Sequence, residues 1–128
     1  GRDYRAFVVG KRVVAAMMRT ASEGEFRSNI HRGGEGRLVN LPKSYETAAV
    51  RAARTLGLEV AGVDIMSSNS GPLIIEVNSS PGFEGIEKAT GLNIAGEIMR
   101  HISRVLALHR RRRRRRSKNA SKRRRKRR

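Results

Sequence analysis

Apolar residues gather in short runs early in the chain and recur at helical spacing later. Residues 3–9 and 12–18 are rich in Val, Phe and Ala and are separated by Gly10-Lys11. That pattern predicts a β-hairpin with a two-residue turn. Residues 22–36 interrupt it with a long polar, glycine-rich stretch, and such loops are either functional or disordered. A short strand is expected over residues 37–41. Ser44 is the expected N-cap of a helix whose stripe is Ala49, Ala52, Ala53 and Leu56, and Gly57 suits the C′ position beyond it.

Residues 59–66 and 72–78 predict two more strands, joined by the turn-like Ser67-Ser68-Asn69-Ser70-Gly71. Residues 79–92, with Pro81, Gly82, Gly85 and Gly91, are expected to form a loop. A last helix is expected from about Asn93, with Ile94, Ile98, Ile102, Val105 and Leu106 on one face. There is no internal repeat. Strands joined by hairpins and mixed with helices argue for an α+β fold, a largely antiparallel sheet backed by two helices.

The strand reading places chemistry. Side chains alternate between faces along a strand, so Glu76 and Asn78 share one face while Ile75 and Val77 point into the core. Asp64 likewise faces away from Val63 and Ile65. If the turn between these strands centres near Ser70, Asp64 lies directly opposite Glu76. Two facing carboxylates repel, and a divalent cation compensates directly. Two carboxylates and an amide are hard oxygen donors, which select Mg²⁺ or Mn²⁺ over Zn²⁺ and leave positions for phosphate and water. Each acid taken alone also reads as a solvent-facing group on a half-exposed sheet.

A second cluster lies in the glycine-rich stretch: Arg27, Ser28, Asn29, His31 and Arg32, followed by Gly33-Gly34. Cations, hydroxyl and amide groups beside glycines suit oxyanions. The signal is weak alone, because the segment lacks the Lys and spacing of a P-loop. Asp3 and Arg5, two apart on the first strand, share a face. They read either as an exposed ion pair or as part of the same groove.

Composition changes the picture in two ways. There is no Cys among the 128 residues, which excludes disulfides, thiolate metal sites and a Cys nucleophile. No apolar run approaches the roughly 20 residues needed to span a bilayer, and no signal peptide is evident, so a cytoplasmic location is expected. The net charge of +18 is unevenly spread. Residues 110–128 hold 15 of the 29 Lys and Arg and no acid, leaving 14 bases against 11 acids in residues 1–109. A nearly balanced domain over residues 1–108 and a disordered basic tail over 109–128 are therefore expected. The chain, which starts at Gly1, reads as part of a longer protein.

Three ordered motifs carry a family resemblance: Phe26-Arg27-Ser28-Asn29-Ile30-His31-Arg32-Gly33-Gly34, Ala61-Gly62-Val63-Asp64-Ile65, and Glu76-Val77-Asn78-Ser79-Ser80-Pro81-Gly82. They closely resemble RimK-type ATP-grasp ligases, and the likeness continues through Gly85-Ile86-Glu87-Lys88-Ala89-Thr90-Gly91 to about residue 108. The resemblance implies the C-terminal subdomain of an ATP-grasp fold. It implies that Asp64, Glu76 and Asn78 bind one or two Mg²⁺, with Mn²⁺ as a substitute. It also implies that Arg27, Ser28 and Asn29 contact ATP phosphates, that Asp3 contacts the nucleoside, and that Arg5, His31 and Arg32 engage the carboxylate or its acyl phosphate. Arg27, Arg5 and Arg32 are the implied catalytic residues.

The implied reaction is ATP-dependent carboxylate–amine ligation through an acyl phosphate. RimK-type members add glutamate to the C-terminus of the sixth small-subunit ribosomal protein, and related enzymes use small molecules or other carriers. A homo-oligomer is expected for the full-length enzyme, and no membrane partner. The family's N-terminal domain, its phosphate-reaching Lys and its adenine hinge are not in these 128 residues, so the chain alone is expected to be inactive. The basic tail is an addition to the family pattern. It suggests RNA contact through residues 110–128, or, as a rival function, an RNA-binding module acting through the tail.

Overall fold

The computed structural model describes residues 2–20 and 36–125. The chain divides into two units, Gly1–Ile98 and Met99–Arg128. Among the described residues, the first unit is built on five antiparallel strands: β1 (Arg2–Val9), β2 (Arg12–Thr20), β3 (Gly36–Leu38), β4 (Val60–Ser68) and β5 (Gly71–Asn78). Their spatial order is β3-β2-β1-β4-β5, so the β1–β2 and β4–β5 hairpins pair side by side through β1 and β4. Helix α1 (Lys43–Thr55) connects β3 to β4, and α2 (Glu84–Thr90) and α3 (Ile94–Arg125) follow β5.

Alternation along the strands gives the sheet two apolar faces. Ala6, Val8, Ala61, Val63 and Ile65 pack with Ala49 and Ala53 of α1. Phe7, Val9, Ala15 and Met17 pack on the opposite side with Ile86 of α2 and Ile94 of α3. Alanines dominate the first interface, which lets α1 approach the sheet closely. In the second, Phe7 meets Phe83 edge-on, with ring centroids 6.4 Å apart.

Several expectations hold. The Gly10-Lys11 turn, both hairpins, α1 with Gly57 just beyond it, and the start of the last helix at Asn93 are observed. Gly57 takes φ +70°, the left-handed conformation that favours glycine at a helix end. Asn93 caps α3 by accepting the Gly96 N–H at 2.6 Å.

Other expectations are corrected. Ser44 is not the N-cap. Helix α1 starts at Lys43 behind Pro42, whose carbonyl accepts the Tyr45 and Glu46 N–H groups and whose ring presets its φ at −56°. The segment expected to be a loop contains α2, seven residues anchored by one buried side chain, Ile86. Gly91 at φ +69° ends it. A helix that short shows too little periodicity to be seen among glycines. The basic tail, expected to be disordered, is helical as far as Arg125. Arg, Lys and Ala are strong helix formers, and that propensity prevails over charge repulsion along the backbone here. On the expected apolar face of α3, Ile94 is buried and Ile98 half-buried, whereas Ile102 and Leu106 are exposed.

Candidate active site

Two bulges decide which side chains meet. In β2, Val14 is an extra residue between the Phe7–Ala15 and Val8–Val13 pairs. In β5, Ile75 is extra between the Asp64–Glu76 and Ile65–Ile74 pairs. The paired residue numbers total 139 from Ser68–Gly71 to Ile65–Ile74, and 140 from Asp64–Glu76 onward. Asp64 therefore does lie opposite Glu76 as expected, but through a tighter turn and a bulge. The expectation for Ile75 fails for the same reason. As the bulged residue it is 54% exposed, while Ile74 and Val77 pack against the α1-side core.

The face that carries Phe7 and Met17 continues into a charged cluster. Asp3 pairs with Arg19 across β1–β2, and Arg5 pairs with Asp64 across β1–β4. Arg5 grips Asp64 bidentately, with Nε to Oδ1 and Nη2 to Oδ2 both at 2.8 Å. Arg19 reaches over β1 from β2. Its Nη2 donates to Asp64 Oδ2 at 2.8 Å and also to Asp3 Oδ2. Arg19 and Asp64 are 6% and 7% exposed, the buried charged residues among those described. The Nε of Arg19 is buried and has no hydrogen-bond partner among the described residues.

The electrostatics follow from this packing. Burial on its own would push the Asp64 carboxyl up. The hydrogen bonds and charge of Arg5, then those of Arg19, outweigh it and hold that carboxyl below the usual carboxylate range. The Arg5 guanidinium is held above its ordinary value, chiefly by its hydrogen bonds to Asp64. Burial opposes this, and the charges of Asp64, Glu76 and Asp3 support it. Arg5 thus lies in the field of all three carboxylates.

Glu76 is exposed and Asn78 half-buried, both on the charged face. Asn78 Oδ1 accepts the Ser80 N–H at 2.9 Å and so starts the turn into Pro81-Gly82. Asn78 pairs with Gly62, and a Cβ on Gly62 would lie 2.8 Å from the Pro81 Cβ. Glycine there lets the loop fold back over the sheet beside the amide.

Of the expected site residues, Asp3, Arg5, Asp64, Glu76 and Asn78 are thus collected on one face of β1, β4 and β5. Arg27, Ser28, Asn29, His31 and Arg32 lie outside the described residues. Arg19 is not among the residues the sequence points to. A hairpin with a plain two-residue turn pairs Asp3 with Met18, and only the Val14 bulge brings Arg19 opposite Asp3. A cation two residues after a core methionine was the one available signal.

The donors suit a hard divalent cation. A carboxylate oxygen has two lone-pair directions. Asp64 Oδ2 accepts from both arginines, whereas among the described residues Oδ1 accepts only from Arg5, which leaves it one direction open there. Among the described residues no three of His, Cys, Asp or Glu group closely enough to hold an ion. The set on offer is two carboxylates and an amide, all oxygen, which matches Mg²⁺ completed by phosphate and water. An apolar groove of about 770 Å³ lies instead on the α1 side, lined by Ala48, Ala52, Leu56, Ile74 and Val77 among others. Lys43, Ser44, Thr47, Arg51 and Thr55 complete its lining among the described residues, with no carboxylate to hold a cation.

Residues 1–102 match the RimK-like ATP-grasp domain. The chain belongs to that family. It is 57% identical over 104 residues to a probable alpha-L-glutamate ligase of Picosynechococcus, an alignment covering 81% of this chain and 35% of the relative. It is 60% identical, with the same coverage, to a probable alpha-L-glutamate ligase 1 of Shewanella amazonensis. The chain thus spans about a third of the length of these relatives. Among solved structures it is similar to the ATP-grasp ligase PsnB complexed with a minimal precursor, Mg and ADP. There the TM-score is 0.64 at 27% identity, covering 80% of this chain and 33% of that one. A D-alanine–D-alanine ligase from Bacillus anthracis, complexed with ATP, shares the fold at TM-score 0.59 and 19% identity, over 82% of this chain and 39% of that one.

Proposed function

We propose that this chain supplies the metal- and phosphate-binding wall of an ATP-dependent carboxylate–amine ligase that uses glutamate as the amine. The observation that carries the reading is the pairing of Asp64 with Glu76 on adjacent strands, with Asn78 two residues along and Arg5 locked beneath them. Membership of the RimK-like family and the glutamate ligase names of its relatives support the substrate class.

In this reading Asp64, Glu76 and Asn78 hold Mg²⁺, two ions in the full site, with Mn²⁺ as a substitute. When bound, the metal offsets charge on the transferred phosphoryl group. Asp3 faces the nucleoside, and Arg27, Ser28 and Asn29 take the phosphates. Arg5 and Arg32 orient the carboxylate. An acceptor carboxylate oxygen attacks the γ-phosphorus and ADP leaves, forming an acyl phosphate. The glutamate amine then attacks the acyl carbon, inorganic phosphate leaves, and the amine proton passes to solvent. No protein nucleophile is required. Arg5 is pre-organised for its part, because Asp64 fixes its guanidinium plane through two hydrogen bonds.

For the acceptor we infer a protein C-terminus, that of the sixth small-subunit ribosomal protein, in a homo-oligomeric cytoplasmic enzyme. Such an acceptor would bring RNA within reach of residues 110–128. The 128-residue chain alone is expected to ligate nothing, since it spans about a third of its relatives' length. The deciding experiment replaces Glu76→Gln and Asn78→Ala in the full-length protein and follows Mg²⁺-dependent incorporation of labelled glutamate. Each change should lower incorporation by about 100-fold or more. Activity within a few-fold of the parent would end the reading.

A further inference from the structure

The charge of this protein is concentrated in its second unit. Residues 99–128 hold 17 of the 29 Lys and Arg and none of the 11 acids. The backbone there is helical to Arg125, and the seven consecutive arginines at 110–116 are all exposed.

An α-helix turns by about 100° and rises about 1.5 Å per residue. Seven consecutive arginines therefore point in every direction around the axis and place one positive charge about every 1.5 Å. Duplex DNA carries one negative charge per roughly 1.7 Å of its axis. The two charge densities are nearly equal. Arginines three and four apart repel one another along a helix, and phosphates on opposite sides of it relieve that repulsion. A flat anionic surface or a single strand engages one side only.

Charge alone does not separate RNA from DNA, but groove shape does. A helix is about 10–12 Å across and the B-form major groove about 12 Å wide, whereas the A-form major groove is deep and too narrow to enter. Residues 99–128 contain no Phe, Tyr or Trp, the large stacking platforms that serve single-strand binders.

We propose that the second unit is a sequence-independent binder of duplex DNA, its helix seated in the major groove with the arginines at 110–116 facing both phosphate backbones. This sets duplex DNA above the RNA contact raised earlier as the preferred ligand of residues 110–116, and it does not depend on the ligase chemistry. The test is anisotropy of a labelled, mixed-sequence 20-base-pair DNA duplex with the 128-residue chain between about 50 and 200 mM salt. The comparison ligands are the RNA duplex and the DNA single strand of the same sequence. The seven phosphates neutralised by residues 110–116 should contribute about −6 to the slope of log affinity on log salt, a loss of about 10³-fold or more across that range. Glutamine at all seven positions (R110Q to R116Q) should flatten the slope by that amount. The parent's own slope needs no variant, and an unchanged thermal melt shows that the variant's first unit is intact. A DNA duplex bound at least about ten-fold tighter than the other two ligands is the expected result. A shallow parent slope, a slope the glutamines leave unchanged, or equal or tighter binding of the RNA duplex or the single strand would overturn the proposal.

Discussion

Replacing Arg19 by Met tests the buried charge cluster most directly. The guanidinium is 8% exposed and lies between Asp64, which is 10% exposed, and Asp3, which is 20% exposed. Removing one partner of a buried ion pair costs about 3–5 kcal/mol, because the remaining charge stays desolvated. Two features reduce that figure. Asp64 keeps both hydrogen bonds from Arg5, and the buried Arg19 Nε, without a partner among the described residues, is removed along with the charge. Leaving such a group unmade costs about 1–3 kcal/mol, so the net loss should be about 2–3 kcal/mol. Over the 98 residues of the first unit, this lowers Tm by roughly 10–20 °C. Urea unfolding followed by circular dichroism measures it. A cycle with Asp64→Asn isolates the coupling, since the neutral side chain no longer needs Arg19. A loss of under about 0.5 kcal/mol for Arg19→Met, or additive losses in the cycle, would refute the idea that Arg19 neutralises Asp64.

Three further outcomes are expected. Asp64 has a lowered carboxyl pKa, so its contribution is fully present above the unfolded value near 4 and is lost as pH falls through the lower folded value. The urea midpoint should therefore hold from about pH 7 to 5 and fall below about pH 4, with a shallower acid fall in Asp64→Asn. Gly62→Ala forces the Pro81 loop outward from a 2.8 Å clash. It should cost about 1–3 kcal/mol and weaken Mg²⁺-dependent nucleotide binding by the full-length protein in a titration, and an unchanged affinity would separate the loop from the site. Ile86→Ala removes the buried anchor of α2, 1% exposed, and should cost about 2–5 kcal/mol by urea unfolding.

The parts of this fold that were legible in the sequence are the ones set by local rules. The Gly10-Lys11 turn, the helix end at Gly57 and the cap at Asn93 each depend on a few adjacent residues. The side-chain alternation that put Asp64, Glu76 and Asn78 together is also local, and it survived because the displaced turn and the Ile75 bulge cancel. Had either occurred alone, the two carboxylates would have fallen out of register. The Asp64–Glu76 pairing therefore holds although the turn, closed by the Ser68–Gly71 pair, is displaced from the expected centre at Ser70.

What was not legible is set by contacts between distant segments. Nothing near Val14 or Ile75 marks them as bulges, since both are β-branched residues that suit an ordinary strand position. Yet the first bulge brings Arg19 opposite Asp3, within reach of Asp64, and the second keeps Glu76 level with Asp64. Both bulges lie in strands that flank the central β1–β4 pair. The chemistry on this face thus rests on two register shifts, each of which turns a chain of mostly ordinary strands toward one charged patch. A bulge next to a reaction centre re-aims side chains without changing their identity. This is why Asp64, Glu76 and Arg5 could be named from spacing, while Arg19, the second cation on Asp64, could not.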